Sequence, residues 1–362
     1  MKNVLTVSDK GKEIYDIVYE KDFSGLYEML QQLDLQKRKI CIVSDTNVAE
    51  LYLEEVKEQL SKAASFVTSY VFPAGECSKT IDTVQLVYEH LILNHFDRND
   101  MLVALGGGVV GDLTGFTAAT YLRGIRFIQV PTSLLAMVDS SVGGKTGVDF
   151  MSYKNMVGAF HQPVAVYMNI SILNTLTEEH YYNGFAEIVK YGMIQDAEFI
   201  SWLTDHLDSI YSHNQNVLQE IVYRSCLFKR DIVQRDVTEK GERALLNYGH
   251  TIGHSIEKNS NFSLLHGQCV ALGMVAALYI GVKRGQVMKD DLGAFEGLLE
   301  SLHLPTRIHG YNIEEILQGT KNDKKMEAGS IKFILLERIG KGYIDNTVTD
   351  EEMRDAISYL MK

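Results

Sequence analysis

The sequence predicts an α/β domain over residues 1–176 followed by an all-α domain over residues 177–362. Three observations carry this. In the first half, short β-type runs alternate with amphipathic stretches of helical period, the rhythm of a mostly parallel sheet covered by helices on both faces. From about Leu176 the strand-like runs give way to long segments of helical period. A chain of 362 residues, 46% apolar with four prolines, is long for one domain and comfortable for two.

In chain order, the strand candidates are KICIVSD (39–45), FVTSYVF (66–72), MLVAL (101–105), RFIQV (126–130) and VAVYMN (164–169), each bounded by polar or glycine-rich joints. Between the first three lie NVAELYLEEVKEQL and TIDTVQLVYEHLILNHF, whose apolar residues recur at helical spacing. The helical half is read from GFAEIVKYGMI, LQEIVYRSCLFKRDIVQ and CVALGMVAALYIGVKRG. The tail after Ser330 carries no single period, and the chain shows no internal repeat.

Composition narrows the partners. Lys and Arg number 35 against 47 Asp and Glu, a formal charge of -12, which disfavours a nucleic-acid partner because phosphate backbones need a basic face. Cys41, Cys77, Cys226 and Cys269 are widely separated and form no CxxC pair, so neither a disulfide framework nor a thiolate zinc site is expected. The first twenty residues lack the apolar core of a signal peptide, and no later run approaches a membrane span. The expectation is a cytoplasmic protein with no membrane partner.

LGGGVVGDLTG follows the strand MLVAL and opens a helix-like segment, and Gly106, Gly108 and Gly111 satisfy the GxGxxG spacing. Small residues there let backbone approach a pyrophosphate, and the helix start offers free N–H groups to an anion. The usual Rossmann pattern also wants an acid at the end of the next strand, where RFIQVPTS has none. Asp45 and Asn47, at the end of the first strand, can serve the ribose instead. A second cluster, VDSSVGGKTGVD, contains GKT but carries Asp139 where a Walker loop needs glycine, so it is not read as a nucleotide-hydrolysing loop. Lys145 on that glycine-rich loop suits an anion.

NYGHTIGHSIEK places His250 and His254 four positions apart, on one face of a helix. His266 in LLHGQCV and Glu187 in GFAEIVKYG complete a candidate set, because two imidazoles and one carboxylate with an open position are a common catalytic zinc arrangement. HTIGH lacks the Glu of HExxH, which disfavours peptide hydrolysis.

PAGECSKT, ALGGGVVGDLTGFTAATYLRGIRFIQVPTSLLAMVDSSVGGKTGVD, KNMVGAFHQP, GFAEIVKYGMI, GERALLNYGHTIGHSIE, HGQCVALGM and NDKK occur in the order expected of 3-dehydroquinate synthases. The resemblance runs from about Ile42 to Lys325, and the intact GGKTGVD is more similar to that family than to the inosose-forming cyclases. It implies a Rossmann-like domain that binds NAD, a helical domain that holds zinc or cobalt, a site in the cleft between them, and a homodimer. It implies Glu187, His250 and His266 as metal ligands, with His254 a neighbour of the metal.

The substrate implied is 3-deoxy-D-arabino-heptulosonate 7-phosphate, a sugar phosphate with a carboxylate at one end, so an acidic protein should concentrate its cations in the site. Arg123, Lys145, Asn155, Lys190, Lys229, Arg243, Asn247, His254 and Lys325 match family positions that act on the substrate. For NAD the resemblance implies Asp45, Asn47, Glu76, Lys79, Gly107, Gly108, Asp112, Thr132, Ser133, Asp139, Lys145, Lys154 and Thr175. The chain departs from the family at RDVTEKGER, where Val237 follows Asp236 in place of an Asp-Glu pair, and at LTEEHYYNGFAE, which lacks an early proline. A metal-dependent polyol dehydrogenase of the same architecture and a non-catalytic binding protein on the same scaffold are the alternatives.

Overall fold

The computed structural model describes residues 3–151, 153–236, 241–261, 263–322 and 332–362. The chain divides into two compact units, residues 1–176 with 218–234 and residues 177–217 with 235–362.

The first unit is built on β1 (Val4–Asp9), β2 (Lys12–Glu20), β3 (Lys39–Asp45), β4 (Phe66–Phe72), β5 (Met101–Gly106), β6 (Arg126–Pro131), β7 (Lys145–Phe150), β8 (Tyr153–Phe160) and β9 (Ala165–Asn169). Among the described residues, seven of these form one sheet in the order β1-β2-β9-β6-β5-β3-β4, parallel except for the β1–β2 pair. The interior strand β5 is buried at every position, as a strand covered on both faces must be. The helices are α1 (Leu26–Gln31), α2 (Thr46–Ala63), α3 (Ile81–Leu93) and α4 (Gly108–Thr120). Val84, Val87 and Leu91 of α3 and Val110 and Leu113 of α4 meet Leu102, Ala104, Phe127 and Val148 in one core.

Two hairpins lie where the sequence reading placed no strand. In β2 the buried Tyr15, Ile17 and Tyr19 alternate with more exposed neighbours, but charges interleave them and dilute the apolar signal. GGKTGVD, read as a glycine-rich loop, pairs as β7 with KNMVGAF as β8, Gly147 opposite Gly158. A Cβ at Gly147 would lie 2.8 Å from the Val157 carbonyl oxygen, so these glycines serve close strand approach.

The second unit opens with α5 (Glu178–Gln195), α6 (Ala197–Asp205) and α7 (Leu207–Tyr211), after which α8 (Gln215–Arg235) supplies residues 218–234 to the first unit. There the Tyr223 ring meets Tyr19 at 5.6 Å and the Cys226 thiol donates to the Met137 carbonyl at 3.3 Å. The second unit continues with α9 (His250–Asn259), α10 (His266–Lys283), α11 (Lys289–Ser301), α12 (Ile313–Asn322), β10 (Phe333–Arg338), β11 (Lys341–Asp345) and α13 (Asp350–Leu360). The part after Ser330, which shows no single period in sequence, thus contains a two-stranded hairpin and a capped helix; the other elements of the unit among the described residues are helical. Helices α5 and α10 are buried almost all round and form its centre. No helix among the described residues is long and apolar enough to cross a membrane.

Candidate active site

In the second unit, α5, α9 and α10 bring the metal candidates together. At Gly249, before α9, φ is +79° and a Cβ would lie 2.8 Å from both the Met274 nitrogen and the Val270 oxygen. At Gly253 it would lie 2.7 Å from the Cys269 oxygen. These two residues let α9 press against α10, which puts His250 and His254 beside His266 at the start of α10. Asn183 of α5 accepts the Gly267 N–H at 2.7 Å, fixing the same end of α10 near Glu187.

Glu187 Oε1 lies 3.6 Å from His250 Nε2 and 3.7 Å from His266 Nε2, and the Glu187 side chain has no solvent exposure. The three histidines present ring nitrogens within 4.8 Å of one another. Each proposed imidazole ligand is engaged at its other nitrogen: His250 Nδ1 donates to the Tyr248 carbonyl at 3.1 Å, and His266 Nδ1 faces Glu257 at 3.5 Å. That pattern points Nε2 of both rings at Glu187. Burial, reinforced by the Lys190 charge, holds His250 well below the usual imidazole range, so it is neutral and fit to ligate. Burial acts downward on His266 too, but the facing carboxylates of Glu187 and Glu257 outweigh it and raise the ring to about 9. A buried carboxylate facing two imidazole Nε2 atoms, with a second carboxylate behind, is a donor set that fits a dication, which would take the place of the proton that the carboxylates otherwise hold on His266. Lys190 is also fully buried and pairs with Glu187. Arg243 and Asn247 lie on the short turn before α9, whose start is held by Asp236 Oδ2 accepting the N–H groups of Gly241 at 2.7 Å and Arg243 at 3.1 Å. Val237 and Lys325 lie outside the described residues.

In the first unit, the candidates gather at the carboxyl ends of the parallel strands. Gly107 is the N-cap of α4, and a Cβ there or at Gly108 would come within 3.4 Å and 3.2 Å of the Ser133 and Ser140 hydroxyls. The helix start therefore presents N–H groups without side chains in the way, as an anion requires. Thr132 is buried beside them, with its N–H on the Gly106 carbonyl. Asp45 caps α2, its Oδ1 accepting from Asn47 and Val48. The Thr175 hydroxyl pairs with that of Tyr52 at 2.5 Å. Lys229 donates to the Asp139 carbonyl at 2.5 Å and carboxylate at 2.6 Å, and Lys154 lies 3.9 Å from Glu76. Lys79 joins Asp112 and Asn155, and Lys145 is exposed at the start of β7. Arg123 is exposed on a left-handed turn, φ +67°, and no hydrogen bond or ion pair joins it to another candidate among the described residues.

Family models described as 3-dehydroquinate synthase N-terminal and C-terminal match residues 69–183 and 184–326. The chain belongs to the 3-dehydroquinate synthase family. It is 43% identical to the 3-dehydroquinate synthase of Acetivibrio thermocellus over 340 residues, 94% of each chain. Two solved structures of cyclases are similar throughout. A 2-deoxy-scyllo-inosose synthase complexed with carbaglucose-6-phosphate, NAD+ and Co2+ shares 25% identity with a TM-score of 0.89, covering 99% of this chain and 100% of that one. A 2-epi-5-epi-valiolone synthase from Streptomyces hygroscopicus, with NAD+ and Zn2+ bound, shares 27% with a TM-score of 0.88, covering 98% and 99%.

Glu257 and the Tyr248 carbonyl are what sequence reasoning missed at the metal candidates. A backbone carbonyl leaves no mark in sequence. Glu257 does leave one: it lies seven positions after His250, two helical turns along the same face, in the matched run HTIGHSIE.

Proposed function

We propose that the chain converts 3-deoxy-D-arabino-heptulosonate 7-phosphate into 3-dehydroquinate and phosphate, as a carbon–oxygen lyase dependent on NAD and one divalent metal ion, zinc or cobalt. The observation that carries this, within a chain of the synthase family, is the convergence of Glu187 Oε1 with Nε2 of His250 and His266. Glu187, His250 and His266 hold the ion, and the α4 start with Gly107, Gly108, Asp112 and Asp139 holds the dinucleotide. When bound, the dication supplies Lewis acidity and the dinucleotide a hydride acceptor that later returns the hydride, so the net redox change is zero.

The chain's own residues bind and orient. Lys190, buried against Glu187, places fixed positive charge where negative charge develops on the substrate. Arg243 and Asn247, just before the ligand helix, and Lys145, Asn155, Lys229, Arg123 and Lys325 gather the carboxylate and phosphate. His254, its ring centroid 5.0 Å from that of His250, hydrogen-bonds a substrate hydroxyl and moves a proton there. The departing phosphate can take the proton from the adjacent carbon, so elimination needs no further side chain as base. Ring opening and intramolecular aldol closure then depend on orientation.

The test couples phosphate release to absorbance at the NADH band. Phosphate release without net NADH is expected; stoichiometric NADH marks a polyol dehydrogenase, and no turnover with NAD and metal supplied marks a binding protein. Pairing of two copies, the assembly implied by the family, is read by sedimentation equilibrium.

A further inference from the structure

Lys79 is among the few buried lysines, 4% exposed, and its ammonium is committed inside the protein. Its Nζ lies 2.7 Å from Asp112 Oδ2 and 2.6 Å from Asn155 Oδ1. Two further bonds close a circuit. The Asp149 N–H donates to the Lys79 carbonyl at 2.8 Å, and the Asn155 N–H donates to Asp149 Oδ1 at 2.8 Å. The circuit ties the segment before α3 to the β7–β8 hairpin and holds Asn155 at φ +53°, a left-handed conformation that asparagine tolerates better than most residues.

The chemistry of the donor decides which way the Asn155 amide faces. An ammonium has hydrogens to give and no lone pair to accept with, so only the amide oxygen can face it. The Nδ2 hydrogens are thereby turned the other way, and Asn155 is an exposed residue. We infer that Lys79 is a positioning residue for Asn155: it locks the amide oxygen inward, so that the amide N–H groups are presented outward as donors to an oxyanion of the substrate. The inference rests on the proposed synthase reaction and deepens it. Lys79 then acts on the substrate through Asn155, beside the dinucleotide contact that the family resemblance implies for it. Burial alone would lower the Lys79 ammonium, but the Asp112 and Glu76 carboxylates outweigh it and raise it above its usual range, so the lock stays charged.

The experiment is a double-mutant cycle on the full chain with metal and saturating NAD, reading KM and kcat for the sugar phosphate. Lys79→Met removes the ammonium; Asn155→Gly removes the amide and keeps the left-handed backbone available. Each single variant is expected to raise KM on the order of 10-fold, with the double variant no worse than Asn155→Gly alone. Multiplied effects would overturn the inference. Lys79→Met also strands the Asp112 carboxylate, so Lys79→Met/Asp112→Asn is measured beside it: Tm should recover while KM stays high, and recovery of KM along with Tm would reduce Lys79 to a structural role. Titration of NAD-loaded protein with inorganic phosphate and with 3-dehydroquinate reads the donor without turnover. Unchanged affinity for both in Lys79→Met counts against the inference, whereas a wild type that releases no phosphate counts against the synthase reading.

Discussion

A single ring nitrogen decides whether an imidazole can hold a metal, and here the partners of Nδ1 set it. Glu257 faces His266 as the Tyr248 carbonyl faces His250, so both rings offer Nε2 toward Glu187. Glu257→Gln is expected to weaken zinc binding about 10- to 100-fold, measured by competition with a chelator. His250→Ala should abolish turnover and lose the metal, whereas His254→Ala should lower turnover and keep it; equal metal loss in both would refute the assignment of His254 as a neighbour. At this scale the sequence was legible where chemistry is written in side chains, as in HTIGH and the lone acid of GFAEIVKYG. The pairings of Lys79 with Asn155 and of Lys229 with Asp139 were not, because each joins residues 76 or more positions apart.

At the scale of elements, the site depends on how closely two helices approach. Gly253→Ala would drive a methyl group into the Cys269 carbonyl. The expected cost is about 1–3 kcal/mol of stability, with zinc affinity falling in parallel, read by denaturant titration and chelator competition. A second joint is electrostatic. Arg284 at the end of α10 grips Glu352 of α13 through two bonds of 2.6 and 2.9 Å and reaches Asp345 at 3.0 Å. These bonds hold Glu352 down at about 2. A carboxylate held below its unfolded value stabilises the fold above pH 4.5, and the contribution is lost as pH falls from there towards 2. Arg284→Ala should therefore cost about 1–3 kcal/mol at neutral pH and progressively less in acid, seen as converging Tm curves.

The five strand candidates all became strands of the main sheet: β3, β5, β6 and β9 are buried almost throughout and so read as apolar runs, and the edge strand β4 shows itself by its β-branched and aromatic residues. The edge hairpin of β1 and β2 was missed, since strands with one wet face carry half the signal. The β7–β8 hairpin hid behind glycines that read as loop and in fact admit a facing backbone.

At the scale of the whole molecule, the two proposed ligands divide between the units. The NAD candidates all lie within residues 45–175 of the first, and Glu187, His250 and His266 all lie in the second. Hydrogen exchange should show NAD protecting the β5–α4 turn and zinc protecting the starts of α9 and α10. Each ligand should stabilise the fold by mass action, by about 2.7 kcal/mol at a hundredfold excess over Kd, seen as a rise in Tm.

The first unit is not contiguous in the chain, since residues 218–234 return to it from beyond residue 176. A ribosome delivers the sheet long before the helix that seals it, so the nascent first half must wait, with Tyr19 and Met137 uncovered, until some forty intervening residues have emerged. A fragment ending at residue 176 should accordingly bind hydrophobic dyes and stay dependent on a holdase, and a peptide spanning residues 215–235, added in trans, should relieve both.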